Sequence, residues 1–136
     1  MAKTNQRLAL QIVIGLLAII PLFVGLQGIF RGPNMLAEGY NYPLSVDSHF
    51  RYLSGLPVAI GLLLLRSLPT IDRDASDLRR VSLLIFIGGL GRLWGLITLG
   101  FDISTMVITL VELFLFPFLC LWQYQVQKSS VRPRTK

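Results

Sequence analysis

"LLIFIGGLGRLWGLITLG", residues 83–100, carries one charge, Arg92, in a run that is otherwise apolar and rich in glycine. The run it belongs to, Val81 to Phe101, is as long as the ~20 residues an α-helix needs to cross a hydrocarbon core. Leu8 to Phe30 is a longer run without any charge, and Ile103 to Val126 is interrupted only by Glu112. A further run, Tyr52 to Leu65, is too short alone. It reaches spanning length if its helix starts after Pro43, with Ser45 or Asp47 as N-cap, and continues to about Arg66 with Arg51 inside.

Composition agrees with a membrane setting. The 136 residues are 53% hydrophobic and only 15% charged, against roughly 45–50% and 25% in ordinary soluble domains, and the mean hydropathy is +0.63. The apolar runs are continuous rather than alternating, which excludes a β-barrel. The sequence therefore predicts an all-α membrane protein: a four-transmembrane-helix bundle forming one domain over 1–126, with spans near 8–30, 46–66, 80–100 and 103–126 and a basic cytoplasmic tail over 127–136. Lys3 and Arg7 resemble the start of a signal peptide. The run behind them is longer than the roughly 7–15 residues of a secretory core and has no clear cleavage site, so it reads as an uncleaved first helix.

Basic residues orient the spans. Lys3 and Arg7 precede the first; Arg66, Arg73, Arg79 and Arg80 lie between the second and third; Lys128, Arg132, Arg134 and Lys136 follow the fourth. The connection between the first two has Arg31, with Arg51 at its inner end, and that between the last two has no Lys or Arg. Both termini and the middle connection are then cytoplasmic, with the cell's inner (plasma) membrane as the expected location. The net charge of +6 is spread over membrane-flanking segments, leaving no domain to hold nucleic acid and making anionic lipid the expected counter-charge. "KSSVRPRTK" (128–136) reads as a disordered tail near headgroups.

This topology gives the buried charges a depth. Arg92 lies about 12 Å from Gly100, and Glu112 about 13 Å from Ile103, at 1.5 Å per residue. The connection is so short that the helices form a hairpin, and Arg92 and Glu112 face each other across it. A lone charge at mid-membrane costs about 2.5–3.5 kcal/mol, so such a pair is expected. Helical spacing sets Gly88, Arg92 and Gly95 on one side with Gly91 adjacent, a surface for close helix packing, and Asp47, Arg51 and Gly55 on one face of the second span. The candidate helix-packing positions are thus Gly55, Gly88, Gly91 and Gly95. The candidate ligand-binding residues are Asp47, His49, Arg51, Tyr52, Arg92 and Glu112, lining one polar pocket open to the outer side. Pro21, Pro57 and Pro117 each remove a backbone donor inside a span and predict bends, freeing the carbonyls of Leu17, Leu53 and Leu113; Arg51 is a candidate donor to that of Leu53 or Leu113.

"DSHFRYLSG" (47–55), the apolar run ending "LLLLRSLP", "GGLGRLWGLITLG" (88–100) and a Glu midway along the last span before a Pro together resemble the bacterial membrane family known as domain of unknown function 4345. The resemblance implies a four-helix membrane protein with Arg51, Gly55, Gly88, Gly89, Arg92, Gly100 and Glu112 at the family's typical positions, and implies no activity.

Catalytic signatures are sparse. One His and one Cys exclude bis-histidine haem, a di-iron cluster, a cysteine-rich zinc site and an internal disulfide, so no cofactor or metal is expected. Cys120 reads as a packing residue. "GGLGR" lacks the strand context and Lys-Ser/Thr ending of a phosphate loop. Asp47 and His49 point to different faces, Asp47 being the better helix cap. "IDRDASDLRR" reads as a solvated turn with Asp74 or Ser76 capping the third helix. Three classes of function remain. The favoured one is a binding or carrier protein that holds an anionic or lipid-like ligand. The alternative is a non-catalytic accessory or assembly subunit with a membrane-protein partner. The third is an enzyme acting on a lipid-like substrate, which the lack of a nucleophile disfavours.

Overall fold

The fold is all-helical in a computed structural model, which describes residues 2–36 and 39–131. Helix α1 runs Ala2–Arg31, α2 Leu44–Ser67, α3 Ser76–Leu99, α4 Ile103–Leu110 and α5 Phe116–Val131. A π-helical segment, Val111–Leu115, joins α4 to α5, and 3₁₀ turns follow α1 and α2 at Gly32–Met35 and Leu68–Thr70. Four of these stretches, α4 to α5 counting as one, are long and apolar enough to cross a membrane. Only 17–22% of each most hydropathic window is buried. The remaining faces expose side chains such as Ile12, Leu16, Phe23, Leu83 and Ile97, which suits an apolar surrounding rather than water.

The start of the third span and the end of the fourth extend beyond the spans expected from hydropathy, each for a local reason. Helix α3 starts at Ser76, where the sequence already offers Asp74 or Ser76 as a cap: Asp74 Oδ1 accepts the Ser76 N–H at 2.8 Å and settles the first turn. The predicted tail is helical as far as Val131, carrying α5 through Lys128; residues 132–136 lie outside the described residues.

Residues 11–68 form one compact unit. In it α1 and α2 meet through small residues. A Cβ on Gly25 would lie 2.7 Å from Ser54 O, one on Gly28 would strike Ser54 Oγ, and one on Gly61 would strike Leu22 and lie 2.9 Å from Ala18 O. Backbones approach this closely only where side chains are absent or small. Ser54 is buried and its hydroxyl donates to Phe50 O at 2.7 Å, so no polar atom is stranded there. Pro21 and Pro57 lie inside helices that stay α-helical.

The second unit comprises the described residues of 1–10 and 69–136. Here α3 packs antiparallel on α4, the π segment and α5, burying Leu78, Val81, Leu96, Phe116, Leu119 and Val126. The turn entering α3 is tied down by side chains. Arg7 Nη2 donates to Pro69 O (3.0 Å) and lies 3.3 Å from Asp72 Oδ1; Gln123 Nε2 donates to Ile71 O (2.8 Å) and Gln127 Nε2 to Arg73 O (2.9 Å). These two glutamines account for the extension of α5, since each gives a turn carbonyl its partner.

Candidate functional site

In the unit of 11–68, α1 ends at Arg31 and the chain turns at Gly32, whose φ of +63° is open to glycine without strain. The last carbonyls of a helix lack intrahelical donors. Arg51 supplies them: its Nη1 donates to Ile29 O and, at 3.1 Å, to Phe30 O, while Nε and Nη2 take Asp47 Oδ2 and Oδ1 at 2.7 and 3.1 Å. The guanidinium fork thus joins a carboxylate to a helix C-terminus, where positive charge is favoured. A Cβ on Gly32 would lie 2.5 Å from Asp47 Oδ1 and 2.7 Å from Arg51 Nη2, so beyond the strain at positive φ it would push these two charged tips aside.

Three expectations change here. Asp47 does not cap α2: the helix begins at Leu44 behind Pro43, which lacks a side-chain acceptor, and the Asp47 N–H already donates to Pro43 O at 3.1 Å. Arg51 serves α1 carbonyls rather than those freed by Pro57 or Pro117. Gly55 is not a packing position, having nothing within 4 Å of its Cβ direction, because the α1-facing side of α2 is carried by Ser54 and Gly61. His49 Nδ1 lies 3.0 Å from Ser45 O on an exposed turn, a contact that needs the proton on Nδ1. Tyr52 is 75% exposed.

In the other unit, Arg92 Nε lies 3.2 Å from Glu112 Oε1 and 3.1 Å from Oε2. The hairpin spacing anticipates this pair. Gly89 makes it geometrically accessible: a Cβ there would lie 3.1 Å from Glu112 Cβ and 3.0 Å from Leu113 Cδ2. The close approach assigned to Gly88, Gly91 and Gly95 therefore belongs to Gly89, and those three have nothing within 4 Å. One residue along a helix is a turn of about 100°, enough to move the contact to the neighbouring face.

The pair is asymmetric. The Glu112 side chain is 21% exposed and the Arg92 side chain 50%. Glu112 Oε2 is buried and accepts no hydrogen bond among the described residues, although it stays within ion-pair distance of Arg92. Arg92 Nη1 and Nη2 make no hydrogen bond among the described residues, which leaves an unused donor fork beside the open faces of Gly88, Gly91 and Gly95.

Glu112 occupies the π segment, a feature absent from the sequence reading. Pro117 has no N–H to give either Leu113 O in an α ring or Glu112 O in a π ring, so the ladder loosens where Glu112 sits. The signal was present in "VELFLFP", a Glu with Pro five residues on. Below it, Asp102 caps α4 by accepting the Thr105 N–H and hydroxyl at 2.7 and 2.8 Å, and buried Thr109 returns its hydroxyl to Thr105 O. Cys120 Sγ contacts the buried Ser82 hydroxyl at 3.1 Å. No group of three or more His, Cys, Asp or Glu comes together among the described residues.

The fold is thus that of an all-helical protein with four helices of membrane-crossing length and a charged pair between the last two. The chain belongs to the family described as Domain of unknown function (DUF4345), matched over residues 9–123. No curated protein and no solved structure matches it.

Proposed function

We propose that this chain is a multipass protein of the bacterial inner membrane with both termini and the 68–75 turn on the cytoplasmic side, and that it binds an anionic, lipid-like ligand through Arg92. The orientation rests on the basic residues at those ends and their absence between α3 and α4. The observation that carries the ligand is the half-exposed Arg92 fork, about 12 Å inside the span by helical rise. Its Nε is held by Glu112 and both terminal nitrogens make no hydrogen bond among the described residues. A charged donor in an apolar surrounding is costly unless matched, and a planar fork matches a phosphate or carboxylate with two parallel hydrogen bonds. Glu112 orients the guanidinium, and the glycines leave room for the headgroup. Asp47 and Arg51 are occupied with the end of α1, so the ligand group narrows to Arg92 and Glu112.

A non-catalytic accessory subunit draws support from the same face, since "GRLWG" (91–95) sets Gly91 and Gly95 at the spacing of packed membrane helices. Native mass spectrometry of gently extracted protein separates the two readings. Wild type carrying anionic lipid that Arg92→Gln loses supports the ligand. A stoichiometric protein partner with lipid unaffected by Arg92→Gln supports the subunit.

A further inference from the structure

The connection between α3 and α4 is the reverse of a water-facing loop. Leu99, Phe101 and Ile103 are 78–90% exposed at its tip. No Lys or Arg lies between Arg92 and Lys128, and the tip has one charge, Asp102. That carboxylate is turned back onto its own helix, where Oδ2 accepts the Thr105 N–H and hydroxyl at 2.7 and 2.8 Å. Gly100, at a φ of +112°, reverses the chain without adding a side chain. The hairpin therefore ends in an apolar point, and such a point in water is unfavourable.

Helical rise shows what covers it. Arg80 and Lys128 are the exposed cations nearest the other end of this hairpin. Leu99 lies about 28 Å along α3 from Arg80, and Ile103 about 37 Å from Lys128 along the last span, at 1.5 Å per residue. The hydrocarbon core is about 30 Å thick and the bilayer with its headgroups about 40–45 Å. With Arg80 at one edge of the hydrocarbon and Lys128 among the headgroups beyond it, both lengths bring the tip to the opposite edge, and tilt draws it deeper. We propose that Leu99, Phe101 and Ile103 form a wedge seated at the boundary between acyl chains and headgroups, so that lipid, rather than water or protein, covers the tip. The wedge fixes the depth of Arg92, about 10 Å along α3 from Leu99. This rests on the membrane-spanning reading above and not on the Arg92 ligand.

The test is labelling of full-length protein in lipid nanodiscs with a charged, water-soluble maleimide. Wild type, whose only thiol is Cys120, gives the baseline. Arg73→Cys marks a water-facing position and Ile87→Cys a mid-span one; like Phe101, both side chains are exposed and leave the core intact. In discs holding one copy each, Phe101→Cys is expected to react more slowly than Arg73→Cys by on the order of tenfold, because the reactive thiolate is disfavoured in apolar surroundings. Equal rates at Phe101→Cys and Arg73→Cys, with Ile87→Cys protected, overturn the wedge and leave the membrane reading standing. Fast labelling of Ile87→Cys overturns both. Protection of Phe101→Cys only in discs with two copies replaces lipid by a second chain and overturns the proposal. Should Phe101→Cys fail to fold, the wild-type Phe101 amide decides: broadening by a nitroxide on the lipid chains supports the wedge, and broadening only by a water-soluble one overturns it.

Discussion

Arg51 Nη1 donates to the Phe30 carbonyl at 3.1 Å, from the second turn of α2 to the last turn of α1. The same guanidinium holds Asp47. One ammonium cannot reproduce a fork that serves a carboxylate and two carbonyls. Arg51→Lys is therefore expected to lower the melting temperature in detergent, and Arg51→Met to lower it further. Gly32→Ala places a Cβ at positive φ and against both partners, for a loss of about 1–2 kcal/mol from conformation alone. Unchanged melting of Arg51→Met would show that the α1 carbonyls find other donors.

The glycines of α3 divide by face. Gly89→Leu drives a side chain into Leu113 and Glu112 and is expected to cost about 1–3 kcal/mol in denaturant unfolding. Gly88→Ala meets open space and gains helix propensity, so it is expected to be neutral or to stabilise by about 0.5–1 kcal/mol. If Gly91→Ala leaves stability intact and still depletes co-purified lipid, that face is the ligand's; equal loss of stability at Gly88 and Gly89 would remove the distinction.

Arg92 and Glu112 should behave as a coupled pair. Each single change to Gln leaves a charge without its partner inside a span, at about 2.5–3.5 kcal/mol on insertion scales. The double change removes both charges. A double-mutant cycle on unfolding free energies is expected to show the double variant more stable than the sum of the singles. Strict additivity would mean that the contact contributes nothing to stability.

Acid should loosen two helix starts. The Ser76 N–H bound to Asp74, and the Thr105 N–H bound to Asp102, favour the ionised carboxylates and hold both below the usual carboxylate range. Their folded values lie below the unfolded one of about 3.9. The stabilisation is thus complete above that pH and is lost as pH falls through the folded values. Asp102→Asn keeps a capping oxygen without a titrating proton. It should match wild type near neutrality and show a flatter melting-temperature profile below pH ~4.

The spans and the Arg92–Glu112 pairing were legible because both follow from hydropathy, helical rise and a connection too short for anything but a hairpin. Arg51 was misassigned because its partners are backbone carbonyls at the end of another helix, which no residue type announces; "RGP" at 31–33 marked the helix end but not what fills it. Gly89, named only through the family resemblance, was missed as the packing position because the packing face was drawn through Arg92, about 100° per residue away from the face that meets Glu112 and Leu113. The Gln123 and Gln127 clamps were invisible for a related reason: two glutamines near a helix end read as solvated until the turn carbonyls they serve are located.

Pro117 tests whether the π segment serves the pair or merely tolerates the proline. Pro21 and Pro57 leave their helices α-helical, so a proline alone does not dictate the π form. Pro117→Ala restores an N–H that Leu113 O can take, and proline in a helix interior is up to about 3 kcal/mol worse than alanine. The variant is expected to melt higher than wild type. Closing the π segment also turns residues on one side of it by about 100° against those on the other, which withdraws Glu112 from Arg92. Higher stability should therefore accompany a smaller Arg92–Glu112 coupling in the mutant cycle and less co-purified anionic lipid. Higher stability with undiminished coupling would show that the π geometry is a consequence of the proline and has no part in holding the arginine.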